Sequence, residues 1–377
     1  MKAGQFDSLY IHVPFCRNIC DYCALYSVVE NSPEVRQRYL KRLRSDLDKN
    51  RASLSQIKTI FIGGGTPSAL RPEELRELLS GLSELSPGLE EFSVECNPST
   101  VDDEKFAVLR EYGVNRLSFG GQSTSRKTRK SLGRRTGDRE LFTALEMAKK
   151  HGFDNFNVDM IYAVPGQTLA DWQYDLKRVL DFGVKHFSAY SLILEEGTVL
   201  SEKYDETDDD LAVEMYKLCE ESLQEYGLKR YEVSNYSVSG HECRHNLGIW
   251  QGARYLGIGP AAGSFDGQNR WMEKADLMAW LDGAEVEYDE ISPLERAAEV
   301  IAFGFRTVEG WQKERLTAFY GSGILKSFSR VLEDLKNQGF VIEDHVSWKP
   351  SEQGLLFADE VALALIEAAM EVEGMNR

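Results

Sequence analysis

The sequence predicts an incomplete parallel α/β barrel of six β-α units, followed by a smaller and mainly helical domain. Between residues 9 and 193, short runs of β-branched and aromatic residues alternate with amphipathic, charge-flanked segments. This alternation is typical of repeated β-α units around a parallel sheet. Several amphipathic segments begin at proline, aspartate or serine and end at glycine, as helices prefer. A change of pattern near residue 292 indicates the second domain.

The predicted strands and helices of the barrel follow one another in order. The strands are expected at residues 9–13, 59–62, 92–95, 116–119, 157–161 and 187–193. The helices are expected at residues 33–51, 72–85, 102–112, 139–151 and 170–182, with a further helix at 208–226. Because functional groups in such barrels lie where strands end, unusual motifs should follow the strands. PFC, GGGTP, ECNP, GGQS, YAVPGQT and LEEGT do so in turn.

The C-terminal part has a different pattern. Two helical segments precede the predicted strand pair GFVIEDHVSWKPSEQG and the closing helix DEVALALIEAAM, an arrangement that resembles a winged-helix unit. We therefore predict a barrel at residues 1–235, a connecting segment at 236–290 and a helical, winged-helix-like domain at 291–377. The net charge of -17 favours a scaffold or lid over a reader of nucleic acid.

Composition narrows the class of protein. Hydrophobic residues make up 42% and charged residues 28% of the chain, as in folded domains. The start MKAGQFDSLYIHV lacks the pattern of a signal peptide, and the sequence contains no apolar run of membrane-spanning length. We therefore expect a cytoplasmic protein. Six cysteines, three of them clustered, are unlike a secreted disulfide framework and indicate metal or redox chemistry.

The clustered thiols are Cys16, Cys20 and Cys23, in the spacing C-x3-C-x2-C. A structural zinc site would need a fourth protein ligand, and only His12 lies close in the sequence. A four-iron cluster held by three thiolates leaves one iron open to a small molecule. The spacing therefore favours a [4Fe-4S] cluster, and a structural zinc site is the alternative.

The motifs taken together resemble those of a known family. Tyr22 precedes the third cysteine, and GGGTP, VECNP, FGGQS, SLGRRTG and VDMIYAVPGQT follow in order. In these features the chain is similar to the radical S-adenosylmethionine superfamily, and within it to the coproporphyrinogen-III-oxidase-like branch. The resemblance runs from about Tyr10 to the C-terminal domain. It implies a partial (β/α)6 TIM-like barrel with a [4Fe-4S] cluster and S-adenosylmethionine, whose reductive cleavage gives methionine and a 5′-deoxyadenosyl radical.

The resemblance also implies which side chains hold these groups. The three cysteines would hold the cluster. The residues implied for S-adenosylmethionine are Tyr10, Tyr22, Gly64, Gly65, Thr66, Glu95, Gln122, Arg134, Asp159 and Ile193. Carboxylates would accept hydrogen bonds from ribose hydroxyls, an arginine would pair with the methionine carboxylate, and the isoleucine would contact adenine. No catalytic side chain is assigned.

Two activities compete within this branch. The oxygen-independent coproporphyrinogen dehydrogenases carry a further cysteine where this chain has Leu25, and a longer N-terminal arm. Both departures favour similarity to the haem chaperones of HemW type. That similarity implies binding of haem, transfer to respiratory acceptor proteins, an electron donor to the cluster and transient membrane association through partners. The alternative is a coproporphyrinogen III dehydrogenase or another radical enzyme acting on a tetrapyrrole.

A candidate haem ligand lies in the connecting segment. HNLGIW, residues 245–250, resembles the HNxxYW motif implicated in haem binding in those chaperones, with Ile249 in the tyrosine position. Imidazole can ligate haem iron, so His245 is the haem candidate, and a hydrogen-bonding role is the alternative. In the basic run at residues 125–135, Arg126, Lys127, Arg129 and Lys130 are expected to face solvent.

Overall fold

The computed structural model describes residues 5–30, 32–82, 84–85 and 88–375. Within these residues, six parallel strands form the centre of the fold, in the order predicted from the sequence. They are β1 (Ser8–Val13), β2 (Thr59–Gly64), β3 (Glu91–Cys96), β4 (Arg116–Gln122), β5 (Phe156–Tyr162) and β6 (His186–Ser191). Each strand pairs in parallel with the next.

Helices connect these strands. They are α1 (Pro33–Asn50), α2 (Pro72–Ser80), α3 (Asp103–Glu111), α4 (Arg126–Ser131), α5 (Asp138–Lys150), α6 (Leu169–Asp181) and α7 (Asp209–Glu225). The prediction placed the end of α2 at residue 85, whereas the helix ends at Ser80, and residue 83 lies outside the described residues. The expectation that Arg129 is solvated was wrong: its side chain is buried and donates to the carbonyl of Ser123 at 3.1 Å.

The helix ends follow from local chemistry. Ser32, Asp102 and Thr168 accept hydrogen bonds from backbone N–H groups in the first turns of α1, α3 and α6. Gly113 and Gly152 end α3 and α5 at φ angles of 82° and 79°, which only glycine adopts without strain. These caps make the helices short and direct the chain back to the next strand.

The segment after α7 extends both edges of the sheet. Its elements are β7 (Lys229–Glu232), β8 (Asn235–Ser237), α8 (Arg244–Trp250), β9 (Tyr255–Ile258), β10 (Gly263–Phe265), β11 (Arg270–Met272), α9 (Leu277–Leu281) and β12 (Glu287–Tyr288). β8 pairs antiparallel with β6, while β9 pairs in parallel with β1. The region predicted as a connection at 236–290 therefore builds sheet, and β8 crosses the boundary between residues 235 and 236. The three-part division of the chain stays a proposal.

The two faces of the central strands differ in chemistry. On one face, apolar side chains such as Ile11, Ile60, Val94 and Val158 are buried in one hydrophobic core beneath the helices. The alternate residues face the barrel interior and are mostly polar. Because successive strand residues point to opposite sides, the sheet can bury an apolar face and keep a polar lumen. This lumen positions the site.

The C-terminal domain has its own core. Its elements are α10 (Pro293–Gly304), β13 (Trp311–Gln312), α11 (Lys313–Ser327), α12 (Ser329–Asn337), β14 (Val341–Glu343), β15 (Ser347–Pro350), α13 (Glu352–Leu356) and α14 (Ala358–Met375). The antiparallel sheet β13-β15-β14 and the helices before it match the predicted winged-helix-like arrangement. In the described residues, no helix has both the length and the apolar composition needed to cross a membrane. Residues 1–4 and 376–377 of the predicted domains lie outside the described residues.

Candidate functional site

A cavity of about 650 Å³ enters the barrel at the carboxyl ends of the parallel strands. Most of the predicted site residues line it together. They are Cys16, Cys20, Tyr22, Cys23, Gly64, Gly65, Thr66, Glu95, Gln122, Arg134, Asp159 and Ile193. Residues about 180 positions apart in the chain therefore meet at one opening, because the carboxyl ends of parallel strands share one end of a barrel.

The loop after β1 carries the three cysteines. Backbone hydrogen bonds between Cys16 and Val28 and between Cys23 and Cys20 hold this loop at the cavity. All three thiols are free. The sulfur of Cys16 lies 3.4 Å from the hydroxyl of Thr66. Within the described ranges, no three His, Cys, Asp or Glu side chains converge as ligands of a single metal ion.

The electrostatic surroundings of the thiols are mixed. Burial raises the pKa of Cys16 and of Cys23, while hydrogen bonds and the charge of Arg134 act in the opposite direction. Arg134 also donates a hydrogen bond to the sulfur of Cys20 at 3.5 Å. Thiolates rather than thiols bind metals, so a cationic group beside them supports loss of their protons when a metal binds.

The glycine turn after β2 permits close approach. Gly64 has a φ of +102°, and a Cβ atom there would lie 2.6 Å from the ring of His12. A Cβ atom on Gly65 would lie 2.7 Å from the backbone of Pro14. Glycine is required at both positions because any side chain would collide with β1 or with the residue after it. The turn therefore presents bare backbone to the cavity.

Two half-buried carboxyl groups lie in the cavity wall. Burial, with repulsion from Asp159, raises the pKa of Glu95 to about 8, although the N–H of Gly64 donates to it at 3.2 Å. Burial also raises the pKa of Asp159, which accepts hydrogen bonds from Ser118 at 3.0 Å and Asn157 at 2.7 Å. Glu95 therefore holds a proton at neutral pH until a ligand offers hydrogen-bond donors to its ionised form.

Arg134 and Gln122 lie over a bulge in β4. Gln122 has a φ of 65°, and the pairing with β5 shifts register between Gly120 and Gln122. One guanidinium nitrogen of Arg134 donates to the carbonyl of Gly120 at 2.5 Å. Its Nε is buried, with no partner among the described residues. The groups at the cavity suit an iron–sulfur cluster together with a nucleotide that carries amino and carboxylate groups. These groups are the unmet donor, the three thiols, the two carboxyl groups and the bare backbone.

Two predicted residues lie elsewhere. The hydroxyl of Tyr10 is 3.1 Å from Nδ1 of His12, on the wall between β1 and β2. His245 is enclosed at the opposite end of the barrel, with 2% of its surface exposed and its Nδ1 2.9 Å from the hydroxyl of Thr59. Burial, reinforced by the charge of Arg116, lowers its pKa to about 3. The imidazole is therefore neutral, and in this conformation it has no open face for haem.

Helix α8 closes this end of the barrel. The carboxylate of Glu91 accepts hydrogen bonds from the backbone N–H groups of Arg244 at 2.7 Å and His245 at 3.3 Å. At the other end of the helix, the ring of Trp250 packs against Phe303 and Arg306 of the C-terminal domain. α8 therefore joins the barrel lumen to the second domain.

Sequence reasoning missed the polar side chains deeper in the cavity. These are Arg116, Ser118, Asn157, Ser188, Tyr190, Asn235 and Asn246. A signal was present in the strands, since EFSVE, RLSFG, NVD and HFSAY place polar residues at alternate positions. A strand with one apolar and one polar face, in a sheet covered by helices, indicates a polar barrel interior.

Comparison with known proteins gives consistent results. The family "Radical SAM superfamily" matches residues 10–179, and "HemN C-terminal domain" matches residues 291–357. A Bacillus subtilis protein named "Heme chaperone HemW" is 33% identical over 370 residues, covering 94% of this chain and 97% of its own length. An Escherichia coli protein of that name is 31% identical over 366 residues, covering 94% of this chain and 96% of its own length.

One solved structure shares nearly the whole fold. It is described as "Coproporphyrinogen III oxidase (HemN) from Escherichia coli is a Radical SAM enzyme" and superposes with a TM-score of 0.81. The match covers 96% of this chain and 90% of that one, at 17% identity. At this identity the likeness concerns the fold alone. It confirms the predicted barrel with a C-terminal helical domain.

Proposed function

This chain belongs to the HemW family of haem chaperones within the radical S-adenosylmethionine superfamily, and from that premise we propose that it binds haem and transfers it to acceptor proteins. The supporting observation is the match to curated HemW relatives over more than nine-tenths of both chains. The cavity supports the same proposal, because the residues around it suit the cofactors of the superfamily.

In this proposal Cys16, Cys20 and Cys23 hold a [4Fe-4S] cluster. When bound, the cluster and S-adenosylmethionine supply one-electron chemistry at a sulfonium. The chain's own residues bind and orient these groups. Arg134 offers its unmet Nε to a carboxylate, and the backbone at Gly64 and Gly65 accommodates an amino group at close range. Tyr22, Thr66, Gln122 and Ile193 complete the proposed S-adenosylmethionine set at the cavity. Tyr10 belongs to the proposal as well, although it lies outside the cavity lining and bonds to His12.

Glu95 and Asp159 contribute acceptors for ribose hydroxyls. Burial raises the pKa of both carboxyl groups, so binding of a hydroxyl pair to the ionised form would release protons. We propose that nucleotide binding is therefore coupled to pH, more tightly at higher pH.

Partners and location belong to the same proposal. The acceptors would be respiratory haem proteins, and an electron donor would reach the cluster near the loop after β1. We propose that the chain works in the cytoplasm and meets membranes transiently through those acceptors.

Titration of the anaerobic, cluster-loaded protein with haem tests the proposal. We expect a saturable Soret band and transfer of haem to an apo-haemoprotein. A chain that bound no haem would contradict the proposed function. His245→Ala tests the candidate ligand, with the exposed His345→Ala as the matched control. A changed Soret band in the first variant alone assigns ligation to His245, which would require α8 to move because the side chain is enclosed. An unchanged band removes His245 from the site.

Two further assays separate the alternatives. The reduced, reconstituted protein should give no protoporphyrinogen from coproporphyrinogen III, because Leu25 stands where the dehydrogenases have a cysteine. Product formation at the rate of a catalyst would favour the dehydrogenase. Iron and sulfide analysis, with zinc as the comparison, distinguishes a cluster from a structural zinc site.

A further inference from the structure

The inner part of the cavity contains an unusual charged group. Arg116, the first residue of β4, is 2% exposed and lines the cavity. Among the described residues it makes one hydrogen bond, a long contact of 3.5 Å from a terminal nitrogen to the hydroxyl of Ser93, and its Nε has no partner there. In the described part of the chain, no carboxylate forms an ion pair with Arg116. A buried guanidinium without a paired anion is costly.

The nearby carboxylates are committed to other donors. Glu91 accepts from Ser93 and from the start of α8, and Asp159 accepts from Ser118 and Asn157. Burial opposes the charge of Arg116, but nearby groups including Glu91 keep its pKa above its usual value. The arginine therefore stays charged with most of its five donors unused.

The other polar groups around it are mutually bonded. We call this region the inner chamber, lined by Arg116, Ser118, Asn157, Ser188, Asn235 and Asn246. Nδ2 of Asn157 lies 2.8 Å from the hydroxyls of both Ser118 and Ser188, and Ser188 donates to Asn235. In the region described, the side chain of Asn246 forms no hydrogen bond. The unmet donors of the chamber are thus Arg116 and the amide of Asn246, on β4 and α8.

We propose that the inner chamber binds the carboxylate of an organic acid through Arg116 and Asn246. A guanidinium matches a carboxylate with two parallel hydrogen bonds, and an amide N–H can add a third. The chamber also faces Asp159 and Glu95, and where either ionises it repels a doubly charged phosphate more than a singly charged carboxylate. The carboxylate belongs either to a tetrapyrrole propionate, which rests on the proposed function, or to a free small acid.

Paired probes distinguish the two sources. Thermal unfolding of the anaerobic, cluster-loaded chain is measured with sodium propionate and with propionamide, at matched ionic strength. Binding is then measured with haem and with its dimethyl ester. We expect one or both of two results: propionate raises the unfolding temperature more than propionamide, or haem binds more tightly than its dimethyl ester. A difference in the propionate arm indicates a free acid, and a difference confined to the haem arm indicates a tetrapyrrole.

Variants connect the effect to the chamber. Arg116→Gln should abolish the difference between each acid and its neutral partner, because it removes the cation that would pair with the carboxylate. Asn246→Asp should also abolish the difference, because it places a carboxylate beside Arg116. Arg129→Gln removes a buried arginine on α4 that contacts Ser123, and should leave the difference intact. Cluster content and circular dichroism report folding.

The outcomes are decisive in both directions. Equal responses to acid and neutral partner in both arms would overturn the proposal, as would a difference that persists in Arg116→Gln. If the Arg116→Gln protein does not fold, the Asn246→Asp variant alone tests whether the acid and its neutral partner differ because of the chamber. A chain that binds no haem refutes the proposed function, while the propionate arm still tests the chamber.

Discussion

Replacing Glu95 with glutamine should make the protein more stable at alkaline pH. The folded state raises the pKa of this carboxyl from 4.5 to about 8, mainly through burial and secondarily through Asp159. The native state thus holds the proton more tightly than the unfolded state. The stability contributed by that proton is complete below about pH 4.5 and is lost as the pH rises through about 8. Glutamine stays neutral throughout and avoids this loss.

The magnitude follows from the shift. At about 1.4 kcal/mol per pKa unit, the full penalty for ionising Glu95 is on the order of 5 kcal/mol. Most of it develops between pH 5 and pH 9, so the advantage of Glu95→Gln should grow by about 4 kcal/mol over that range.

Denaturant unfolding without S-adenosylmethionine, at pH 5, 7 and 9, measures this difference. Glu104→Gln is the matched control, because Glu104 is an exposed carboxylate on α3 that faces Arg76 at 3.1 Å. Its substitution should change the free energy of unfolding by less than about 1 kcal/mol at every pH. An advantage of Glu95→Gln that stays constant from pH 5 to pH 9 would refute the reasoning.

Three further substitutions test the packing around the site and the domains. Gly64→Ala should destabilise the chain by about 2–4 kcal/mol in denaturant unfolding, because its Cβ would strike the ring of His12 at a φ of +102°; an unchanged midpoint would contradict this. Glu91→Ala should lower the free energy of unfolding by about 2 kcal/mol and speed amide hydrogen exchange in α8, because the first backbone N–H groups of that helix lose their acceptor. Unaltered exchange in α8 would show that the Glu91 hydrogen bonds do not hold the helix. Gly304→Ala should lower the free energy of unfolding by about 3 kcal/mol, because its Cβ would overlap the buried indole of Trp311. Calorimetry should show a lower unfolding temperature, and an unchanged unfolding temperature would contradict the overlap.

Sequence patterns predicted the central strands well, because the alternation of residues within each strand is enough to identify it. Val94 and Val158 alternate with Glu95 and Asp159, so the period of two and the side that faces the lumen can both be read locally. The glycine turn after β2 was also predictable, since GGGTP indicates close backbone approach. Local signals of this kind do not depend on which distant element lies opposite.

Pairing between strands that lie far apart in the chain could not be predicted from the sequence. The strand YLGI at β9 carries no mark that it pairs with β1, almost 250 residues earlier, so the segment was interpreted as a connection. For His245, the motif HNLGIW suggested a haem ligand, but it did not reveal that Thr59 and Glu91 enclose this residue. Burial of one side chain depends on contacts from three separate elements, and a single sequence does not reveal them.

The pairing of β1 with β9 has a consequence for synthesis. A ribosome that adds about 5–20 residues per second needs on the order of ten to fifty seconds between these two strands. During that interval the outer edge of β1 has no neighbour, and an unpaired apolar edge invites association with other nascent chains. Production of the intact protein should therefore depend on holdase chaperones, and should improve when translation is fast.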